Sequence, residues 1–154
     1  MTEIQTRWQQ LQQRLPQGVK LLAVSKMQPA SAVRELAACG QIDFGESRVQ
    51  EALPKQEALA DLTDLRWHFI GRLQANKVRA VVKAFSWIHS IDSMALAERS
   101  SRIALEEGCC PSVLFQVKLR SDPSKGGWDP QSLKEAWPVP VSYTHLTLPT
   151  TSMV

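Results

Sequence analysis

The sequence has no apolar run approaching the ~18 residues that a membrane-spanning helix needs. Its start, Met1-Thr2-Glu3-Ile4-Gln5, lacks the basic-then-apolar pattern of a secretory leader. A cytoplasmic protein without membrane contact is expected. Cysteines are few: Cys39, Cys109 and Cys110 give an odd count without C-x-x-C spacing, and the adjacent pair is poorly placed to bridge itself. Reduced thiols fit the same compartment. Basic blocks are absent too, since 18 Lys+Arg against 15 Asp+Glu leave a net +3 spread along the chain. No nucleic-acid footprint is indicated.

What is present is the composition of a soluble globular domain. The 154 residues are 44% hydrophobic and 21% charged, enough for one domain with a real core. Ile4, Trp8, Leu11 and Leu15 have helical spacing, and Pro16-Gln17-Gly18 ends that helix. Val19–Ser25 reads as a strand, with Leu22, Val24 and Lys26 on one face. Pro29 suits a helix start, Ala30–Cys39 continues it, and Gly40 is a natural stop.

The unit then repeats. Ile42-Asp43-Phe44-Gly45 reads as a strand, and Ser47 with Gln50 has capping-box spacing for a helix through about Leu59. Arg66–Ile70 predicts a third strand, with a helix from about Ala75 to Phe85. Trp87–Ile91 predicts a fourth, with Asp92 or Ser93 capping a helix to Glu107 and Gly108 ending it. Val113–Leu119 predicts a fifth, and Asp129-Pro130 opens a last helix through about Ala136.

Five strands each followed by a helix specify a parallel α/β fold, either an open doubly wound sheet or a (β/α)₈ barrel. No G-x-G-x-x-G follows the first strand, which lowers the dinucleotide-binding option. Five units fall short of the eight, in about 250 residues, that close such a barrel. A barrel reading therefore makes residues 1–140 a partial barrel domain. Beyond Val139-Pro140 the rhythm stops. The stretch Val141-Ser142-Tyr143-Thr144-His145-Leu146-Thr147-Leu148-Pro149-Thr150 resembles a translated sequencing-library adapter, so 141–154 are expected to be a non-native tail. Tyr143 and His145 are left out of any site.

Lys26 closes the run Leu21-Leu22-Ala23-Val24-Ser25-Lys26, at the carboxyl end of the first strand. Taken alone, such a lysine is most often a solvated charge. At a barrel mouth, partial burial would favour its neutral amine, which attacks carbonyl carbons and forms Schiff bases.

The strongest local signature is Trp67-His68-Phe69-Ile70-Gly71-Arg72-Leu73-Gln74-Ala75-Asn76-Lys77, a strand joined to a helix through a glycine and a polar loop. With Ala23-Val24-Ser25-Lys26 and Phe44-Gly45-Glu46-Ser47-Arg48-Val49-Gln50-Glu51, it closely resembles the pyridoxal phosphate homeostasis protein family, over about Leu21 to Trp128. That resemblance implies a (β/α)₈ TIM barrel of the alanine racemase N-terminal type, here incomplete at about five βα units. It implies pyridoxal 5′-phosphate (PLP) as cofactor, held as an aldimine on Lys26, in a protein that serves intracellular PLP homeostasis without turnover. PLP is then the small-molecule ligand, and PLP-dependent apo-enzymes are the partners such a carrier would supply.

Roles for other residues stay open. His68 is either a ring contact or a core histidine. Ser47 is a helix cap or a ring-side group beside Glu46. Asn76 and Lys77 fix the loop or meet ligand, and Arg72 departs from the small residue or proline common in the family. Lys125, in Ser124-Lys125-Gly126-Gly127-Trp128, is assigned to solvent ahead of an anionic ligand, and Trp67 and Trp87 to packing. No second catalytic acid/base and no metal ligand is assigned. The phosphate-gripping residues that relatives carry near their later strands are not found here. Two other readings stand beside the first: a PLP-dependent racemase or Schiff-base lyase using Lys26, and a non-functional truncated fragment.

Overall fold

A computed structural model describes residues 1–139 and 145–148. The chain divides into two compact units, one spanning Met1–Trp67 and one beginning at His68.

The first unit opens with α1 (Glu3–Arg14), which Thr2 and Gln5 close in a capping box. Then follow β1 (Ala23–Val24), α2 (Ala30–Ala38), β2 (Asp43–Glu46) and α3 (Val49–Ala58). β1 and β2 run parallel, with Ala23 beside Phe44 and Val24 beside Gly45. Val33, Phe44 and Leu59 form the buried centre, and Ala23, Leu36, Leu62, Leu65 and Trp67 pack around it. Ala23 and Phe44 thus mark the helix-covered face of the sheet.

β1 is shorter than the seven residues the pattern predicts, and a side chain explains why. The amide of buried Gln41 donates to the carbonyls of Leu21 (2.7 Å) and Asp43 (2.8 Å), while its oxygen accepts from Trp8 Nε1 at 2.8 Å. A glutamine takes the place of ladder bonds where the two strands first approach. The third helix also begins later than predicted. β2 runs on to Glu46, Ser47 lies in a bend, and Arg48 occupies the N-cap without a side-chain bond. The capping box expected from Ser47 and Gln50 is therefore not formed.

β3 (Arg66–Phe69) begins in the first unit and ends in the second. Ala75–Lys77 form a 3₁₀ turn that leads into α4 (Val78–Ala84), where one continuous helix was expected. β4 (Trp87–Ile91), α5 (Met94–Glu107), β5 (Ser112–Phe115) and α6 (Pro130–Ala136) follow. The strands lie in sequence order in a five-stranded sheet, and the β1–β2, β3–β4 and β4–β5 pairings are parallel. The predicted ends of α5 hold: Ser93 accepts from Leu96 N–H, and Gly108 takes the left-handed C-cap at φ +66°. Asp129 caps α6 with Pro130 at its start.

Within the tail, residues 145–148 are described. Thr147 N–H donates to Pro111 O and its carbonyl accepts from Val113 N–H, beside Ser112 of β5. The rest of the 141–154 expectation lies outside the described residues.

Candidate functional site

Ser25 continues the β1 ladder by donating its N–H to Gly45 O at 2.9 Å, and the chain then turns through Lys26 and Met27. Met27 has φ +61°, the one positive φ at a non-glycine among the described residues. Long side chains rarely hold that conformation without support. Lys26 is exposed, and its ammonium has no hydrogen-bond or ion-pair partner among the described residues. The partial burial expected of it is not supplied by its own unit. Val24, two residues earlier on the same face of the strand, is likewise 52% exposed.

The opposite face supplies what holds this turn. α3 turns Val49, Ala52 and Lys55 inward, so a lysine occupies a position on its buried stripe. Lys55 Nζ donates to Glu46 Oε1, to Ser25 O at 2.8 Å and to Glu51 Oε1 at 3.3 Å. Its three N–H donors are thereby used. Glu46 is fully buried at the end of β2, and its Oε1 also accepts from Ser25 Oγ at 2.9 Å. Glu46 Oε2 has no hydrogen-bond partner. Glu51 in turn accepts from Met27 N–H, and this bond, followed by the contact with Lys55, holds its carboxyl below the usual carboxylate range against the opposing effect of desolvation.

The two lysines near β1 therefore differ in kind. Lys55 is a buried, fully engaged cation. Lys26 is an accessible amine on a turn whose two flanking peptide groups are both bonded. Sequence reasoning missed Lys55 and Glu51, although Glu51 four residues before Lys55 is a readable ion-pair spacing.

The Trp67–Lys77 signature begins in the first unit and extends into the second. Trp67 packs against Phe44 in the first core, as a packing anchor should. In the second unit, His68 pairs with Trp87 and Phe69 with Ile88 across β3 and β4. Phe69 meets Phe85 at the end of α4, so Phe69 and Ile88 mark the helix side and His68 lies on the other. There His68 is fully buried, stacks on Trp87 at 5.0 Å between ring centroids, and shares a 2.9 Å hydrogen bond between its Nδ1 and His89 Nε2. His89 is pushed down to about 4, first by desolvation and then by the charge of His68. His68 is thus a core histidine with a histidine partner, and Trp87 is its stacking surface. His89 was legible only through strand alternation with Trp87.

Arg72, Asn76 and Lys125 are exposed, which agrees with a solvent role for Lys125. Leu73 anchors the signature loop in the core, and Arg99 Nε donates to Ala75 O at 2.8 Å. Gly127 is required by its backbone and by close approach: at φ +149° a Cβ there would fall 2.5 Å from Lys118 Cγ and 3.1 Å from its backbone nitrogen, whereas one on Gly126 would meet only the carboxylate tip of Asp92. Among the described residues no cluster of metal-ligating side chains occurs, and no helix is long and apolar enough to cross a membrane.

Comparison with known proteins places this geometry. The family model for the alanine racemase N-terminal domain matches residues 1–148. The pyridoxal phosphate homeostasis protein of Synechocystis sp. is 49% identical over 120 residues, 78% of this chain and 55% of the relative. That of Pseudomonas aeruginosa is 49% identical over 119 residues, 77% of this chain and 51% of the relative. The chain spans about half the length of these curated relatives. Among solved structures, PipY of Synechococcus elongatus PCC7942 without PLP superposes with a TM-score of 0.94 at 49% identity, over 98% of this chain and 70% of PipY. The PLP-bound form of PipY gives 0.91 at 47%, over 99% and 70%. Alanine racemase of Clostridium difficile 630, at 16% identity and a TM-score of 0.74 over 97% of this chain and 39% of its own, shares the fold.

Proposed function

The chain belongs to the alanine racemase N-terminal domain family, and from that premise we propose that it is part of a protein that binds pyridoxal 5′-phosphate for cofactor homeostasis, with Lys26 as the amine that holds it. The observation that carries the reading is the contrast between Lys26, exposed and unengaged at the carboxyl end of β1, and Lys55, buried and tied to three acceptors. When bound, the group would supply an electrophilic aldehyde carbon, and Lys26 would be the primary amine that meets it. Lys26 fits that aldehyde: its turn is fixed by bonds to both neighbouring peptide groups, and its side chain is accessible. The PLP-bound PipY relative supports the choice of ligand.

Binding without turnover is the better reading of the residues around Lys26. Of the carboxylates that hold its turn, Glu46 is fully buried with Oε1 bonded to Lys55 and Ser25, and Glu51 Oε1 is bonded to Lys55 and Met27. A racemase needs an acid/base free to move protons at the reacting carbon. The curated relatives are named as homeostasis proteins, which agrees. The carrier would operate in the cytoplasm and pass its cofactor to PLP-dependent apo-enzymes.

Absorbance titration of the full chain with PLP, beside Lys26→Ala, tests the reading. A visible band that saturates in the wild type and is lost in the variant is expected; equal titration of both would refute Lys26. Racemisation of L-alanine that disappears with Lys26→Ala would overturn the reading of binding without turnover.

A further inference from the structure

We propose that Glu51 and Lys55 are positioning residues for Lys26, acting as a clamp on the two peptide groups that flank it; this rests on the reading of Lys26 as the cofactor amine. The peptide group before Lys26 is held through its oxygen: Lys55 Nζ donates to Ser25 O at 2.8 Å, beside the turn's own bond from Gln28 N–H at 3.0 Å. The peptide group after Lys26 is held through its nitrogen, since Met27 N–H donates to Glu51 Oε1. Glu51 and Lys55 are one turn apart on α3 and bonded to each other at 3.3 Å, so both ends of the clamp move with one helix. Glu46, fully buried, fixes Lys55 from the end of β2.

The local backbone shows why a clamp is needed. Met27 sits in the left-handed region at φ +61°, which a side chain with a Cβ adopts at a cost. Gln28 N–H closes the turn on Ser25 O at 3.0 Å, and the bond from Met27 N–H to Glu51 ties that turn to α3; without it the Met27 peptide group is free to tilt and carry Lys26 with it. Lys26 has no partner of its own to aim its amine, so the backbone must do so. A solvated lysine needs no such support. The two hydrogen bonds fall on the peptide groups that set where the side chain leaves the chain, and the ion pair joins the two side chains that make them.

Reach and charge can be separated at Glu51, which lies on the helix surface with its side chain 28% exposed and should tolerate substitution. Glu51→Gln keeps the acceptor at the same reach and removes the charge. Glu51→Asp keeps the charge and withdraws it by one methylene. Two readouts on the full chain apply: PLP affinity by absorbance titration, and hydrogen exchange of the Met27 amide without PLP. Positioning predicts that Glu51→Asp and Glu51→Ala both weaken PLP uptake about tenfold and speed Met27 exchange by a similar factor, as loss of a hydrogen bond to a charged group implies. Glu51→Gln should stay within about threefold of wild type in both.

The reverse order, with Asp normal and Gln impaired, would make the effect one of charge and overturn the clamp. So would unchanged uptake in Glu51→Ala. If the wild type takes up no PLP, the cofactor reading fails and the positioning role falls with it. Met27 exchange still reports, separately, whether the turn is held by Glu51. Should Glu51→Ala fail to fold, Glu51→Asp against Glu51→Gln decides the matter alone.

Discussion

Replacing Lys55 by methionine isolates the energetics beneath the lysine turn. Methionine fills much the same volume as the buried lysine stem, so the loss is chiefly electrostatic. Glu46 is fully buried, one of its oxygens already lacks a partner, and the other would keep only the Ser25 hydroxyl. Ser25 O would lose one of its two donors, keeping Gln28 N–H at 3.0 Å. Breaking a buried pair from one side costs about 3–5 kcal/mol, and the stranded carboxylate places Lys55→Met toward the upper end. Against a typical stability of about 5–15 kcal/mol, that is a third or more of the total. Adding Glu46→Leu removes the stranded charge and should bring the double variant back to within about 2 kcal/mol of wild type, the remainder being the hydrogen bonds that Ser25 loses to Lys55 and Glu46. Urea denaturation followed by tryptophan fluorescence measures all three proteins, with slopes expected to stay equal. A Lys55→Met variant within about 1 kcal/mol of wild type would refute the reasoning, as would a double variant no more stable than the single.

Other consequences are open to the same assay. His89 has a folded-state value of about 4, below its ordinary 6.5, so the unfolded chain binds the extra proton first and stability should fall as pH drops from about 6.5 to about 4. Partial solvent contact limits the loss to about 1–2 kcal/mol, and His89→Gln should flatten that part of the pH curve. Gln41→Leu removes a donor from the Leu21 and Asp43 carbonyls and the acceptor of Trp8 Nε1, for about 2–3 kcal/mol; Gln41→Glu, which sets an acceptor against those two carbonyls, should be no better. Gly127→Ala must place a Cβ 2.5 Å from Lys118 Cγ and 3.1 Å from its backbone nitrogen at φ +149°, so a loss of about 2 kcal/mol and faster proteolysis of residues 120–128 are expected.

Strand–helix alternation was readable because parallel strands and their helices leave strong apolar punctuation, and β4, α5 and α6 fall where that pattern places them. The shortened β1 was not readable, because Gln41 takes over ladder bonds from a helix–strand loop far away in sequence. Ser47 failed as a cap for a related reason: the end of β2, where Glu46 is committed to Lys55, delays the helix start by one residue. Lys26 could be singled out from its strand-end position and its neighbouring motifs. Its exposure, and the Glu51–Lys55 support beneath it, depend on which face of the sheet α3 covers. Sequence periodicity gives α3 a buried stripe but does not say that the stripe includes a lysine paired across to β2. His68 likewise carried its burial in its strand, while its bond to His89 needed the β3–β4 register.

The central claim is that the Lys26 amine is the group that holds PLP. Borohydride reduction of the PLP-saturated chain, followed by peptide mapping by mass spectrometry, tests it most directly. A single phosphopyridoxyl mass on Lys26, absent from Lys26→Ala, is the predicted result. A label on Lys55 or Lys125 with Lys26 unmodified, or no label at all, would contradict it.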